Sequence, residues 1–413
     1  MHELRKSKIL VQSIDKLLLL NQELGIYSDL LEKLINQSGL DDIIQVYSKL
    51  DETIKLISEE SNIIFLHRPR QLIRTDSERT IDIELSSELS DCSMTNIFNL
   101  VPELDISSIN FNSFDFSNEE LSSIAYNIFS NTINFEKVKV SQDSLKKFIV
   151  KVSEHYHLNA FHNYKHAVSV LQFMYLLLSQ LHQDNIIIND IYKFALLIAA
   201  LVHDIDHPGH TNTFEINSES YLSKKYNNVS VLENHHCSTA FYIIQLPNIQ
   251  LFSQLSLEDY NIISKCILEC IISTDMKYHN ELIRIINEKK TSGFNLSSFS
   301  DTLIISKLLM HLSDLSNQMR PYNICAQWSS ALKREFKNQI KKEEDKNFNV
   351  LEFMKISDDK SYYLSEYNFA NFIVLPLVNV SIEVFQSFEM FKITLSDNIK
   401  SWKELSEINY VKY

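Results

Sequence analysis

Four glycines in 413 residues, with only six prolines, set the tightest limit on what this chain can become. Glycine reaches positive φ without strain and lets a phosphate approach the backbone, so a chain this poor in it cannot build Gly-rich phosphate loops. Neither G-x-G-x-x-G nor G-x-x-x-x-G-K-[ST] occurs. Sandwiches and barrels need many tight turns and are disfavoured for the same reason. Any phosphate chemistry must therefore come from side chains or metals. From about residue 105 onward the apolar spacing is helical, in 145–152, 167–181, 191–202, 262–272, 304–312 and 372–391. The expected class is all-α. The polar stretch 337–359, which contains KKEEDKN, is expected to be a solvated loop.

With 45% hydrophobic and 22% charged residues the chain is of globular composition. Its 39 basic and 53 acidic side chains leave a net charge of −14, which repels a nucleic-acid backbone, so no nucleic-acid polymer is expected as partner. Cys92, Cys237, Cys266, Cys270 and Cys325 are odd in number and form no C-x-x-C pair, as expected of reduced packing residues in a reducing compartment. The first 20 residues are too polar for a signal peptide, and no run approaches the ~20 apolar residues of a membrane span. A soluble, cytoplasmic chain without a transmembrane segment is the expectation.

Leu17, Leu20, Leu24, Tyr27, Leu31 and Leu34 follow the 3-4-3-4-3 spacing of a coiled-coil seam. Gly25 inside it costs about 1 kcal/mol relative to alanine. The seam suits a homodimer contact through this N-terminal helix and equally a helix packed on its own chain. The expected organisation is a helical extension over 1–67, a polar, Ser-rich linker over 68–104 and one large domain over 105–413.

Eight of the 14 histidines lie between His155 and His210. Histidine beside acidic residues is the material of a nitrogen- and oxygen-ligated metal site. In FHNYKHAVSV, His162 and His166 share a face if a helix has begun there. In LVHDIDHPGHTN an apolar helix runs into the His203-Asp204 pair, delivering an imidazole and a carboxylate whose two oxygens can bridge two cations. A second apolar helix carries Asp314 among residues of buried character, where a carboxylate calls for a cation.

These blocks resemble the catalytic domain of the class I 3′,5′-cyclic nucleotide phosphodiesterases, within the superfamily built around an H-D metal pair. The family signature is matched from His203 to Phe214, and HNYKHA at 162–167, YNNVSVLENHH at 226–236, STDMKYH at 273–279, SDLSN at 313–317 and Gln327-Trp328 follow in order. The resemblance spans about residues 105–410 and implies that family's compact multi-helix bundle. It implies two divalent metals: Zn2+ held by His166, His203, Asp204 and Asp314, and Mg2+ or Mn2+ bridged by Asp204. His207, Glu233 and Asp275 would orient the hydrated second metal, and His162 would be the general acid. Hydrolysis of cAMP, cGMP or both to the 5′-monophosphate, ending a cyclic nucleotide signal, would follow from in-line attack by a hydroxide shared between the metals.

In the base pocket the resemblance implies contacts from Asn317, Leu332, Phe336, Phe369 and Met276. Glu366 stands where the family has a glutamine. An amide both donates and accepts, whereas an ionised carboxylate only accepts, which suits guanine N1–H or the adenine amino group. Burial could instead raise its pKa until it donates like an amide. Phe161 replaces the family's usual tyrosine. A catalytically silent cyclic-nucleotide sensor or scaffold, and another H-D phosphohydrolase such as a nucleotidase, remain alternatives.

Overall fold

The computed structural model describes residues 97–98 and 105–408. The helical extension expected over 1–67 lies outside the described residues, as does all but 97–98 of the expected linker. Among the described residues there are fifteen α-helices and no strand. In chain order they are α1 (Asn118–Thr132), α2 (Phe135–Val138), α3 (Gln142–Glu154), α4 (Tyr164–Gln180) and α5 (Asp190–Val202). Next come α6 (Asn212–Asn217), α7 (Tyr221–Lys225), α8 (Val231–Ile244), α9 (Leu257–Ile272) and α10 (His279–Ser292). The last five are α11 (Phe299–Asp314), α12 (Tyr322–Asp345), α13 (Asp359–Phe369), α14 (Leu375–Val384) and α15 (Glu389–Glu407). The all-α expectation holds.

At the centre lies α5, in which every residue from 194 to 202 is fully buried. A helix that is apolar all round has no solvent face to choose, so it is enclosed, here by α1, α4, α9 and α11. Burying each of Phe194, Leu196, Leu197, Ile198, Leu201 and Val202 contributes about 1.5–3 kcal/mol. The element that ends at His203 is thus firmly held. Helix α4 starts where Asn163 accepts hydrogen bonds from the backbone N–H groups of Lys165 (2.9 Å) and His166 (3.2 Å). His162 therefore precedes the helix, and the shared helix face considered for His162 and His166 is not formed.

Two other expectations need correction. The stretch 337–359 is not all loop, because α12 continues to Asp345. Its lysines, glutamates and glutamine are good helix formers, and Gln339 and Glu343 lie buried on its inner face. Gln339 anchors that face by accepting from Thr211 N–H (2.8 Å) and donating to Thr211 Oγ1 (3.0 Å). The apolar run 372–391 is not one helix either. A π-turn spans Ala370–Val374, α14 ends at Val384, and Phe385 turns extended before a 3-10 turn at Gln386–Phe388. Phe385 and Phe388 are buried at this corner, where Asp184 accepts from Ser387 N–H and Oγ–H.

One stretch, Asp359–Val384, contains an 18-residue window with a mean hydropathy of 1.3, apolar enough by length and composition alone to cross a membrane. It packs against α10 and α15, and Leu377, Val378 and Val380 are buried in the fold. The four described cysteines are unpaired and buried, including Cys266 and Cys270 on α9.

Candidate active site

Two helix ends and one helix start converge on a single point. His166 comes from the first turn of α4, His203 and Asp204 from the end of α5, and Asp314 from the last residue of α11. The two imidazole Nε2 atoms are 3.2 Å apart. His166 Nε2 lies 3.4 Å from Asp204 Oδ2 and 3.3 Å from Asp314 Oδ1, and His203 Nε2 lies 3.1 and 3.3 Å from the same oxygens. A tetrahedral ion with ligands at about 2.0–2.1 Å requires ligand–ligand edges of about 3.4 Å, so the set fits a cation of that kind. His203 donates Nδ1–H to the Ala200 carbonyl (3.0 Å), which turns Nε2 toward the cluster; burial opposes a charge on this ring, but Asp204 and Asp314 outweigh it and raise its pKa well above the ordinary histidine value. Burial alone would raise both carboxyls, but the adjacent imidazoles outweigh it and hold Asp204 and Asp314 below the usual carboxylate range.

Beside this cluster stands His162, whose Nδ1–H donates to Glu335. The same carboxylate accepts from the backbone N–H groups of Phe161 (2.8 Å) and His162 (3.1 Å). Burial opposes a charge on the imidazole, yet Glu335 prevails and raises the pKa to about 8. With Nδ1–H given to Glu335, a protonated His162 keeps Nε2–H free of that carboxylate. Its ring stacks on His207 at 4.0 Å between centroids. Burial and the His162 charge push the His207 pKa well below the ordinary value. Because Gly209 N–H donates to His207 Nδ1 (3.0 Å), the neutral His207 presents Nε2–H as a donor. Asn159 ties the two loops together by donating to the carbonyls of His162 (2.9 Å) and His207 (2.7 Å).

On the opposite side, Asn212 donates to both oxygens of Glu233 (3.1 and 3.0 Å). Burial, then the charge of Asp275, raises the Glu233 pKa to about 7. Asp275 pairs with Lys277 at 2.9 Å. His236 donates Nδ1–H to the Ile205 carbonyl (2.6 Å), and its Nε2 lone pair faces Asp204 Oδ1 from 3.8 Å. Asp206, at φ +60, accepts from His157 and His235, each at 2.7 Å, and so clips the loop before α4 to α8.

The residues implied for the base pocket lie on separate elements. Leu332 and Phe336 are one turn apart on α12, with Phe336 edge-on to Phe353. Phe369 ends α13, Met276 opens a 3-10 turn and is partly exposed, and Asn317 is buried in the turn after α11. Glu366 accepts from Gln318 Nε2–H (3.1 Å), and burial raises its pKa. Sequence reasoning gave no role to Glu335, His236, Asn212 or Gln318. In the fold Glu335 shares one buried face with Trp328, Ala331, Gln339 and Glu343, and a buried acid needs a partner.

A helical bundle closing on a His-Asp-His-Asp cluster has the architecture of metal-dependent phosphohydrolases. The family model for 3′5′-cyclic nucleotide phosphodiesterase matches residues 161–394, and the chain belongs to that family. It is 32% identical over 269 residues to the "High affinity cGMP-specific 3′,5′-cyclic phosphodiesterase 9A" of Drosophila melanogaster, covering 65% of this chain and 17% of that protein. It is 31% identical over 301 residues to the "cGMP-specific 3′,5′-cGMP phosphodiesterase 3" of Dictyostelium discoideum, covering 72% of this chain and 64% of that one. The chain thus matches less than two thirds of either relative. Among solved structures, the phosphodiesterase domain of the RhoPDE fusion protein from Salpingoeca rosetta superposes with a TM-score of 0.71 at 33% identity, covering 74% of this chain and 96% of that one.

Proposed function

We propose that the chain hydrolyses 3′,5′-cyclic nucleotides to 5′-nucleoside monophosphates and so ends a cyclic nucleotide signal, with cGMP preferred. The observation that carries this is the His162–Glu335 pair standing beside the complete four-residue cluster. A departing 3′ oxygen needs a proton, and His162 holds one at Nε2 while Glu335 fixes the ring. His166, His203, Asp204 and Asp314 would hold zinc, as a nitrogen- and oxygen-rich tetrahedral set favours. The second oxygen of Asp204 would reach Mg2+ or Mn2+, with Glu233, His207 and Asp275 orienting that ion's waters. When bound, the two cations supply hydroxide at neutral pH and neutralise the cyclic phosphate. Neutral His207, stacked on His162, offers a second Nε2–H donor.

Leu332, Phe336, Phe369, Met276 and Asn317 would line the base pocket. Gln318 and Ser329 hydrogen-bond to Glu366, which while ionised only accepts and so suits guanine N1–H or the adenine amino group. The names of the two curated relatives support the preference for cGMP. Residues 105–413 would form the catalytic domain, with 1–67 as an extension and 68–104 as a linker. A soluble, cytoplasmic setting is supported by the four buried, unpaired cysteines.

The deciding experiment incubates purified protein with cAMP and cGMP, separately and in competition, with Mg2+ present. Formation of 5′-GMP ahead of 5′-AMP is expected. No turnover of either by zinc-loaded protein would overturn the enzymatic reading and leave the silent sensor.

A further inference from the structure

The segment that enters the domain, 105–117, has almost no regular structure beyond one 3-10 turn at Ser113–Asp115, yet it is held tightly. Three side chains collect its backbone carbonyls. Gln172 Nε2–H donates to the carbonyls of Ile106 (2.8 Å) and Ser108 (3.1 Å). Arg320 Nη1–H donates to those of Phe111 (3.1 Å) and Ile109 (3.4 Å). The Lys165 ammonium donates to those of Phe116 (2.5 Å), Phe114 (3.3 Å) and Ser113 (3.4 Å). Lys165 and Gln172 lie on α4 with His166, and Arg320 lies six residues beyond Asp314. Arg320 is fully buried with no carboxylate beside it, so the carbonyls are what compensate its charge.

What this clamp presents to the site is one ring. Phe114 packs on Trp328 with centroids 4.4 Å apart. Trp328 is buried and meets His166 at 5.5 Å and Phe161 at 5.4 Å. Phe161 in turn contacts the rings of His162 and His166, both at 4.8 Å. His166 Nδ1 is buried without a hydrogen-bond partner, so packing, rather than a second hydrogen bond, must fix the rotation of that ring. Asn112 secures the approach by donating to Gln327, the neighbour of Trp328 (3.2 Å).

We propose that Phe114, held by the Lys165 carbonyl clamp, is a positioning residue that sets the ring orientations of His166 and His162 through Trp328 and Phe161. The assignment rests on the proposed reaction for its kinetic readout, and on the metal cluster alone for its spectroscopic one. Phe114 lies outside the residues that touch either the cluster or the acid, so it acts only through other rings.

The test uses the full chain and three variants: Phe114→Ala, Phe114→Tyr and Lys165→Met. Each is loaded with Co2+, whose d–d absorption reports ligand geometry, and each is assayed for turnover. Phe114→Ala and Lys165→Met are expected to shift the Co2+ band and to lower kcat about tenfold with KM within a factor of two. Phe114→Tyr, which keeps the ring, should restore both. An unshifted band with normal kcat in soluble, folded Phe114→Ala would overturn the proposal, as would a lower Tm with neither of the other changes. Should the wild-type chain turn over neither nucleotide, the proposed function fails while the Co2+ comparison still decides the positioning role.

Discussion

At the residue level, the sharpest consequence concerns a proton. Burial opposes a charge on His162, but Glu335, with smaller help from Asp204 and Asp314, outweighs it and raises the pKa to about 8. A protonated acid is required, so turnover should fall as pH rises through about 8. In Glu335→Gln the largest raising influence is gone while burial remains, so the basic limb of the kcat profile should move to lower pH. A limb that stays near 8 would separate Glu335 from the acid. Glu366→Gln gives the base pocket an amide that can turn over, and the cGMP-to-cAMP ratio should shift toward adenine. An unchanged ratio in a competition assay would remove Glu366 from base recognition. The histidine and aspartate cluster was legible in the sequence because those residue types are rare and their blocks distinctive. Glu335 was not, because one glutamate among KREF looks like any solvated acid until the helix face it occupies is known.

At the level of elements, the loops holding the site are as constrained as the helices. Gly209 has φ +74, and a Cβ there would come within 2.9 Å of Asn159 Oδ1, the side chain that joins the His162 and His207 loops. Gly209→Ala should therefore cost about 1–3 kcal/mol and lower Tm by several degrees, with a loss of activity. A variant melting with the wild type would show that Asn159 yields freely. The helices that bury apolar faces, such as α3, α4, α5, α9 and α11, were visible as apolar periodicity. The extension of α12 to Asp345 was hidden because a helix anchored by Gln339 and Glu343 buries polar groups and carries no apolar signature. The break after Val384 was equally hidden, because the residues that turn the corner, Phe385 and Phe388, are as apolar as the helices they separate.

For the molecule as a whole, the candidate metal centre sits where helix ends meet, with His166 and His203 fully buried. Asp314→Ala, or exhaustive chelation of the wild type, should abolish turnover while the far-UV circular dichroism stays helical. Concurrent loss of the helical signal would mean that the metal carries the fold, as in small zinc domains. The scaffold's independence follows from α5, enclosed on every side before any ion is considered. Its amides, from 194 to 202, should exchange with solvent only through global unfolding and be the slowest in the chain. The ion then meets a socket whose conformational entropy has already been spent during folding, so metal capture should proceed as a docking step rather than as a folding reaction.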